Sequence, residues 1–340
     1  MPHPLPFADS LDALRALLST PKRLALITHY NPDGDAIGSS LGLMHVMRAA
    51  GHQATVVLPN AAPSFLQWMP GYAEVLVHEP KRAEAPALIK AADAVICLDF
   101  NRRDRVGGLE EALRAAPFTV LIDHHQAPED FAQIAFSDTS ACATSQMVHA
   151  IVEALGWSDR VSLPAATCLY TGIVTDSGSF RFGSTTPRTM RVAADLMERG
   201  VPFSQVHEAI HDDNRVERLR LQGFMLSERL EVLPELSTAI ITLSRADLDR
   251  FRYQPGDTEG FVNLGLSIRG IRLSAFFMER PDLVKVSLRS KGDLPVDGIV
   301  RDHFNGGGHR NAAGGQAKES LAATVERFRA MLPAFMAAHP

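Results

Sequence analysis

Residues 26–40 read LITHYNPDGDAIGSS. A short apolar run ends in His29, and two aspartates, Asp33 and Asp35, follow two positions apart. Asn-Pro-Asp-Gly favours a tight turn on conformational grounds alone. An apolar strand entering such a turn and leaving as a helix also begins an α/β unit, whose ligands collect beyond the carboxyl ends of the strands. The stretch is therefore either a simple turn or the first part of a metal site.

The rest of the first half repeats the pattern. Arg23–Thr28, Ala54–Leu58, Ala94–Leu98 and Thr119–Ile122 are short apolar runs. Between and after them lie helical stretches at Asp35–Ala50, with Asp35 at the cap position, and at Thr144–Leu155, Leu163–Thr175 and Thr186–Arg199. Short apolar strands interleaved with helices predict a buried parallel sheet with helices on both faces. Val201 to about Arg229 is charged and helical and reads as a connector. Thr238–Leu243, Glu259–Ser267, Arg272–Met278 and Val284–Leu288 then read as strands, and Pro295–Phe304 and Leu321–Ala337 as helices. The expected class is α/β, with residues 1–200 as a catalytic, metal-binding domain, 201–230 as a helical connector and 231–340 as a smaller α+β substrate-binding domain.

Composition sets outer limits. The 340 residues suit two domains, and 46% hydrophobic with 21% charged residues describes a globular chain. No apolar run approaches the roughly 20 residues that a membrane-spanning helix needs. MPHPLPFADS lacks a basic region followed by an apolar core, so no leader and no membrane association are expected. Cys97, Cys142 and Cys168 show no metal-binding spacing and read as small buried residues of a reducing, cytoplasmic compartment. A net charge of −5 argues against gripping a long duplex by its backbone. It leaves room for a small anionic substrate.

Acidic and imidazole groups recur at the strand ends. His29, Asp33 and Asp35 follow the first strand, Asp99 follows AVICL, and Asp123, His124 and His125 follow TVLI. Asp176 stands where a helix runs out into Ser-Gly-Ser. Each has a simpler reading taken alone: Asp33 as a turn former, Asp35 as a helix cap, Asp99 and Asp176 as local turn caps, His29 as a hydrogen-bonded strand end. Asp-His-His directly after an apolar strand is harder to explain that way, because buried ionisable groups need partners. Several carboxylates in one crevice repel unless a cation neutralises them. Oxygen and imidazole donors without thiolate suit Mn(II) or Mg(II) better than structural zinc.

In the second half, FNGGGHRNAAGG (304–315) reads as a glycine-rich loop whose backbone can approach an anion, with His309 beside it. VKVSLRS (284–290) ends in Arg289 and Ser290, where a guanidinium suits a terminal phosphate. Met44, Met47, Phe276 and Phe277 fall at core-like spacings and read as packing.

ITHYNPDGDAIGSS, VICLDFNRRDRVG, VLIDHHQAPEDF and YTGIVTDSGSFRF, in that order, resemble the motifs of the DHH phosphoesterase superfamily, and FNGGGHRNAAGG resembles the signature of its DHH-associated C-terminal domain. The likeness runs from about residue 20 to about residue 335 and is greatest to the NrnA-type oligoribonuclease/pAp phosphatase branch. What the resemblance implies is a centre of two divalent ions, Mn(II) before Mg(II). His29, Asp33 and Asp99 would hold one; Asp35, Asp99, His124 and Asp176 would hold the other. Asp99 would bridge them, Asp123 would support the cluster, and His125 would face the scissile phosphate. Arg105, Arg289, Ser290, Gly307, Gly308 and His309 would contact substrate. The implied activity is hydrolysis of RNA oligonucleotides of 2–4 residues and pApA-like dinucleotides, and removal of the 3′-phosphate of pAp. The alternatives are a manganese-dependent pyrophosphatase or polyphosphatase of the same superfamily, a processive DNA exonuclease, and a nucleotide-sensing module without catalysis. A homodimer is compatible with the sequence, which assigns no residue to it.

Overall fold

The computed structural model describes residues 7–78 and 83–339. The no-leader expectation rests partly on residues 1–6, which lie outside the described residues. The chain divides into two compact units, Met1–Asp213 and Asn214–Pro340. Among the described residues no helix is long and apolar enough to cross a membrane.

The first unit runs α1 (Ala8–Leu17), β1 (Arg23–Ile27), α2 (Gly34–Ala49), β2 (Gln53–Leu58), β3 (Leu76–Val77), α3 (Glu84–Ala91), β4 (Ala94–Leu98), α4 (Glu110–Arg114), β5 (Thr119–Asp123), β6 (Ile134–Ser137), α5 (Thr144–Ala154), α6 (Leu163–Asp176), α7 (Pro187–Glu198) and α8 (Phe203–His211). Its six strands lie in the order β3-β2-β1-β4-β5-β6, and every pairing is parallel. Alternate strand residues feed opposite faces, as the period of two requires. Leu24, Leu26, Ile96, Leu98, Val120 and Ile122 join the core under α2, α5 and α6. Ala25, Ile27, Val95, Cys97 and Leu121 join the core under α3 and α4. Met44 and Met47 are buried packing residues, and all three cysteines are buried thiols.

Helices α2 and α6 pack unusually close, running antiparallel. A Cβ placed on Gly38 would lie 2.5 Å from the Cys168 carbonyl oxygen and 2.8 Å from the Gly172 nitrogen. One placed on Gly42 would lie 2.6 Å from the Leu169 side chain. Glycine at every fourth position of α2 thus lets the two backbones meet.

The second unit runs α9 (Val216–Phe224), β7 (Leu230–Leu233), β8 (Thr238–Leu243), α10 (Arg245–Arg250), α11 (Phe261–Leu266), β9 (Leu273–Glu279), β10 (Val284–Ser290), α12 (Asp297–His303), β11 (Gly307–His309), β12 (Ala312–Ala317) and α13 (Leu321–Ala337). Its sheet order is β11-β12-β10-β9-β8-β7, antiparallel except between β8 and β9. Phe277 packs with α12 and α13, and Phe276 with α10 and α11 on the other face.

Two sequence expectations are corrected here. Glu259–Ser267 is not a strand: Gly260, at φ +79°, turns the chain into α11, which buries Phe261, Val262 and Gly265 on one side. The glycine run is not an open loop: β11 pairs with residues 312–314 of β12 in a tight hairpin, with Gly308 opposite Ala313. A Cβ on Gly308 would lie 2.5 Å from the Ala312 carbonyl oxygen, so the hairpin itself requires glycine there.

Gly38→Ala is expected to destabilise the first unit by about 1–3 kcal/mol, because the added methyl meets backbone that cannot yield. Gly223→Ala, at an exposed helical position with nothing within 4 Å, is expected to be neutral or stabilising by up to about 1 kcal/mol. Denaturant unfolding of the two variants measures the contrast.

Candidate metal centre

The strand order reverses between β1 and β4, the point at which a doubly wound sheet opens a crevice beyond its strand ends. His29 stands just beyond β1, Asp99 immediately after β4, and Asp123 and His124 at the end of β5. Asp99 has φ +66°, a left-handed conformation that aspartate tolerates better than most residues. Its N–H donates to the Ile122 carbonyl at 3.1 Å.

Three groups of three donors from the first unit gather there, one of them Asp99, Asp123 and His125. His29, Asp33 and Asp99 bring one donor atom each within 4.8 Å of one another, and so do Asp35, His124 and Asp176. His29 Nε2 lies 3.9 Å from Asp33 Oδ1 and 3.6 Å from Asp99 Oδ2. His124 Nε2 lies 3.9 Å from Asp35 Oδ2, 3.4 Å from Asp99 Oδ1 and 3.3 Å from Asp176 Oδ2. The two Asp99 oxygens therefore face different triads. These separations exceed ordinary hydrogen bonds of about 2.7–3.2 Å. Donors about 2.1 Å from a common cation and at roughly right to tetrahedral angles would lie about 3.0–3.5 Å apart.

The imidazoles are turned for that task. His29 Nδ1 donates to the Tyr30 carbonyl at 2.9 Å, and His124 Nδ1 to the Ala141 carbonyl at 3.2 Å. Placing the proton on Nδ1 leaves the Nε2 lone pair directed at the carboxylates. Asp123 acts differently. Its Oδ1 accepts from His125 Nδ1 at 2.8 Å and its Oδ2 from the His125 backbone N–H at 3.1 Å, so it fixes the orientation of that ring.

The electrostatics show how strongly the buried charges act on one another. Burial, then the Asp99 charge, push Asp35 up to about 7, against the pull of His124. Burial also drives Asp176 well above the usual carboxylate range, with His124 opposing and Asp35 adding repulsion. Burial works against a charged His29, yet Asp33 and Asp99 outweigh it and raise the imidazole to about 10. Burial likewise opposes a charged His124, which Asp99 and Asp176 nonetheless raise well above its ordinary value. Without a cation the cluster balances its charge by taking up protons. The donor set and ring orientations fit divalent ions, which would replace those protons.

One local expectation is corrected. Asp33, not Asp35, caps α2: its Oδ1 accepts from the N–H groups of Asp35 and Ala36, each at 3.1 Å. Asp35 is buried inside the first turn and caps another helix. Its Oδ2 accepts from Thr144 N–H at 2.6 Å and its Oδ1 from Ser145 N–H at 2.9 Å, at the start of α5. The Thr144 hydroxyl donates to Asp99 Oδ1 at 3.1 Å. Sequence reasoning does not single out Thr144, Ser145 or Gly172. A Cβ on Gly172 would lie 2.8 Å from Asp35 Oδ1, so glycine makes room for the carboxylate. The signal is a small residue facing Gly38, which only the helix pairing reveals.

The remaining expected residues are placed as follows. Arg105 is exposed, and its carbonyl accepts from Tyr30 N–H at 2.6 Å. In the second unit Arg289 and Ser290 end β10, and Arg289 donates to the Leu288 carbonyl at 3.0 Å. The Ser290 hydroxyl is buried, donates to the Leu294 carbonyl at 2.6 Å and accepts from Asn311 at 2.9 Å. Gly307, Gly308 and His309 form β11.

Comparison with known proteins identifies the family. Residues 23–173 match the DHH family, N-terminal domain, and residues 238–338 match the DHHA1 domain. A bifunctional oligoribonuclease and PAP phosphatase NrnA from Thermus thermophilus is 33% identical over 295 residues, covering 86% of this chain and 83% of that one. The Bacillus subtilis protein of the same description is 26% identical over 294 residues, covering 86% and 88%. The crystal structure of an exopolyphosphatase-related protein from Bacteroides fragilis superposes with a TM-score of 0.92 at 34% identity, covering 97% of each chain. The chain belongs to the DHH family, in its NrnA-type oligoribonuclease/PAP phosphatase branch.

Proposed function

We propose that the protein is a metal-dependent phosphoesterase that hydrolyses RNA oligonucleotides of 2–4 residues and pApA-like dinucleotides to mononucleotides and removes the 3′-phosphate of pAp. The observation that carries this reading is the Asp99 carboxylate, whose two oxygens face two separate His/Asp triads. The names of the relatives from Thermus thermophilus and Bacillus subtilis supply the substrate class.

In this reading His29, Asp33 and Asp99 hold one divalent ion, and Asp35, Asp99, His124 and Asp176 the other, with Mn(II) preferred to Mg(II). Such ions would polarise the phosphoryl group and lower the pKa of water at the reacting phosphorus. The chain's own groups supply the rest. Asp99 fixes the spacing of the two triads. Asp123 accepts from His125 Nδ1–H and thereby aims the ring, which, when Nε2 also carries a proton, stabilises the phosphoryl oxygens or hands that proton to the departing oxygen. Arg105, Arg289, Gly307, Gly308 and His309 bind the substrate's nucleotide and phosphate groups; Ser290 shapes the turn beside Arg289. The domain roles, a cytoplasmic location, exclusion of long duplexes and a homodimer belong to the same reading. The description of the Bacteroides fragilis structure keeps inorganic polyphosphate as the second candidate substrate.

A panel of diribonucleotide, tetraribonucleotide, pAp, pyrophosphate and polyphosphate, each with Mn(II) and with Mg(II), tests the proposal. Mononucleotide release from the short RNAs and phosphate release from pAp are expected. Turnover confined to pyrophosphate or polyphosphate overturns it in favour of the alternative, and nucleotide binding without turnover favours a sensing module.

Asp99→Asn is expected to lower kcat on the order of a hundredfold or more, since it removes the shared charge. Asparagine tolerates the left-handed backbone, so this variant separates charge from strain. Near-native turnover would remove Asp99 from its role.

In chelator, stability is expected to fall as pH rises from 3.8 to about 10. The Asp35 carboxyl, raised from 3.8 to about 7, binds its proton more tightly in the folded chain, and that contribution is lost across this interval. His29, raised from 6.5 to about 10, contributes in full below the first value and loses it through the second. Mn(II) is expected to stabilise the protein more at pH 8 than at pH 6, because its ligands must be deprotonated. Thermal unfolding with and without the ion measures both effects.

A further inference from the structure

Tyr30 sits between two members of the cluster, His29 and Asp33, yet 52% of it is exposed. Its backbone is held on both sides. Its N–H donates to the Arg105 carbonyl at 2.6 Å, and its carbonyl accepts from His29 Nδ1 at 2.9 Å. The next residue, Asn31, is left-handed at φ +57°. Asn31 N–H donates to Asn60 Oδ1 at 2.6 Å, and Asn60 Nδ2 donates back to Asn31 Oδ1 at 3.1 Å. Pro32 follows and fixes the next turn.

The ring is seated too. A Cβ on Gly107 would lie 3.1 Å from Tyr30 Cδ2, and Gly107 holds φ +55°, which a side chain would resist. The glycine leaves one side of the ring backed by bare backbone. The phenol hydroxyl makes no hydrogen bond among the described residues. Burial explains little of this placement, because half the residue faces water. Catalytic charge does not explain it either, because the side chain is neutral.

We propose that Tyr30 is a specificity-determining residue that stacks on a nucleobase of the bound substrate. The inference rests on the nucleotide reading of the site. Consecutive Cα atoms are about 3.8 Å apart, so the ring starts one residue from His29. The exposed half of the residue leaves the ring open to a base attached beside a phosphate held at the triads. A ring already fixed by its backbone loses little freedom on stacking. A neutral π face also accepts any base, which suits an enzyme clearing short oligonucleotides of mixed sequence.

The experiment compares wild type with Tyr30→Ala, Tyr30→Leu and Tyr30→Phe on pApA and on the same compound lacking both bases. Leucine keeps bulk over Gly107 without a π face. For pApA, Ala and Leu are expected to raise KM about tenfold, and Phe to stay near wild type. For the abasic compound all four proteins are expected to share one kcat/KM, since ring and base act through each other. Equal losses on both compounds would assign Tyr30 to positioning the loop and overturn stacking. An unchanged KM for pApA in Tyr30→Ala would overturn it while leaving the nucleotide reading intact. A wild type inert towards pApA would overturn that reading, and stacking with it.

Discussion

Repulsion among buried carboxylates governs the first unit. Asp35 and Asp99 are nearly inaccessible to water, and Asp33 and Asp176 join them around two imidazoles. Two unit charges 4 Å apart repel by about 4 kcal/mol at the effective dielectric of a protein surface, and by more in the interior. The fold eases this in part. The first N–H groups of α5 point at Asp35, where the positive end of the helix dipole also lies. Asp176 has the opposite placement, at the carboxyl end of α6, where a negative charge is disfavoured. Only protons or cations can complete the balance, and His29 and His124 both turn Nε2 towards the carboxylates that need it.

Close helix packing makes this arrangement possible. Asp35 opens α2 and Asp176 closes α6, and the two helices run antiparallel, so the residues meet at one end of the pair. Gly38 and Gly42 bring the helices together, and Gly172 leaves space for the Asp35 carboxylate. Bulk at these positions would separate the two aspartates. Stability of the helix pair and geometry of the site are thus set by the same small residues.

The charged motifs are legible in the sequence because each breaks a local rule: ionisable groups directly after apolar strands need an explanation. The parallel sheet is legible from its short apolar runs. Other features are hidden by their dependence on partners far along the chain. Whether Asp33 or Asp35 caps α2 turns on one backbone dihedral, and Asp35 caps α5 across 109 residues. The strand β6 contains only Ile134–Ser137, with one outward alanine, and carries little periodic signal. Phe261–Leu266 resembles a strand in composition, and the left-handed Gly260 makes it a helix. The glycines of the hairpin read as an anion loop, while the close approach of the Ala312 carbonyl already excludes a side chain at Gly308.

The neighbours His124 and His125 show how a short motif divides its labour. Past the end of β5 the Asp123 carboxylate turns back on the chain, its Oδ2 accepting from the His125 N–H at 3.1 Å. Its Oδ1 accepts from the His125 ring at 2.8 Å. His124 Nε2 faces Asp35, Asp99 and Asp176, and His125 Nδ1 lies 3.8 Å from the same Asp99 oxygen. The ring planes stand at 74° to each other, with centroids 5.1 Å apart. One histidine donates its Nδ1 hydrogen to a backbone carbonyl and turns Nε2 to the acidic cluster; the other donates its Nδ1 hydrogen to a carboxylate. Three consecutive residues at a strand end therefore present one imidazole to the acidic cluster and hold the other by a carboxylate, a division that no single member of the motif could produce.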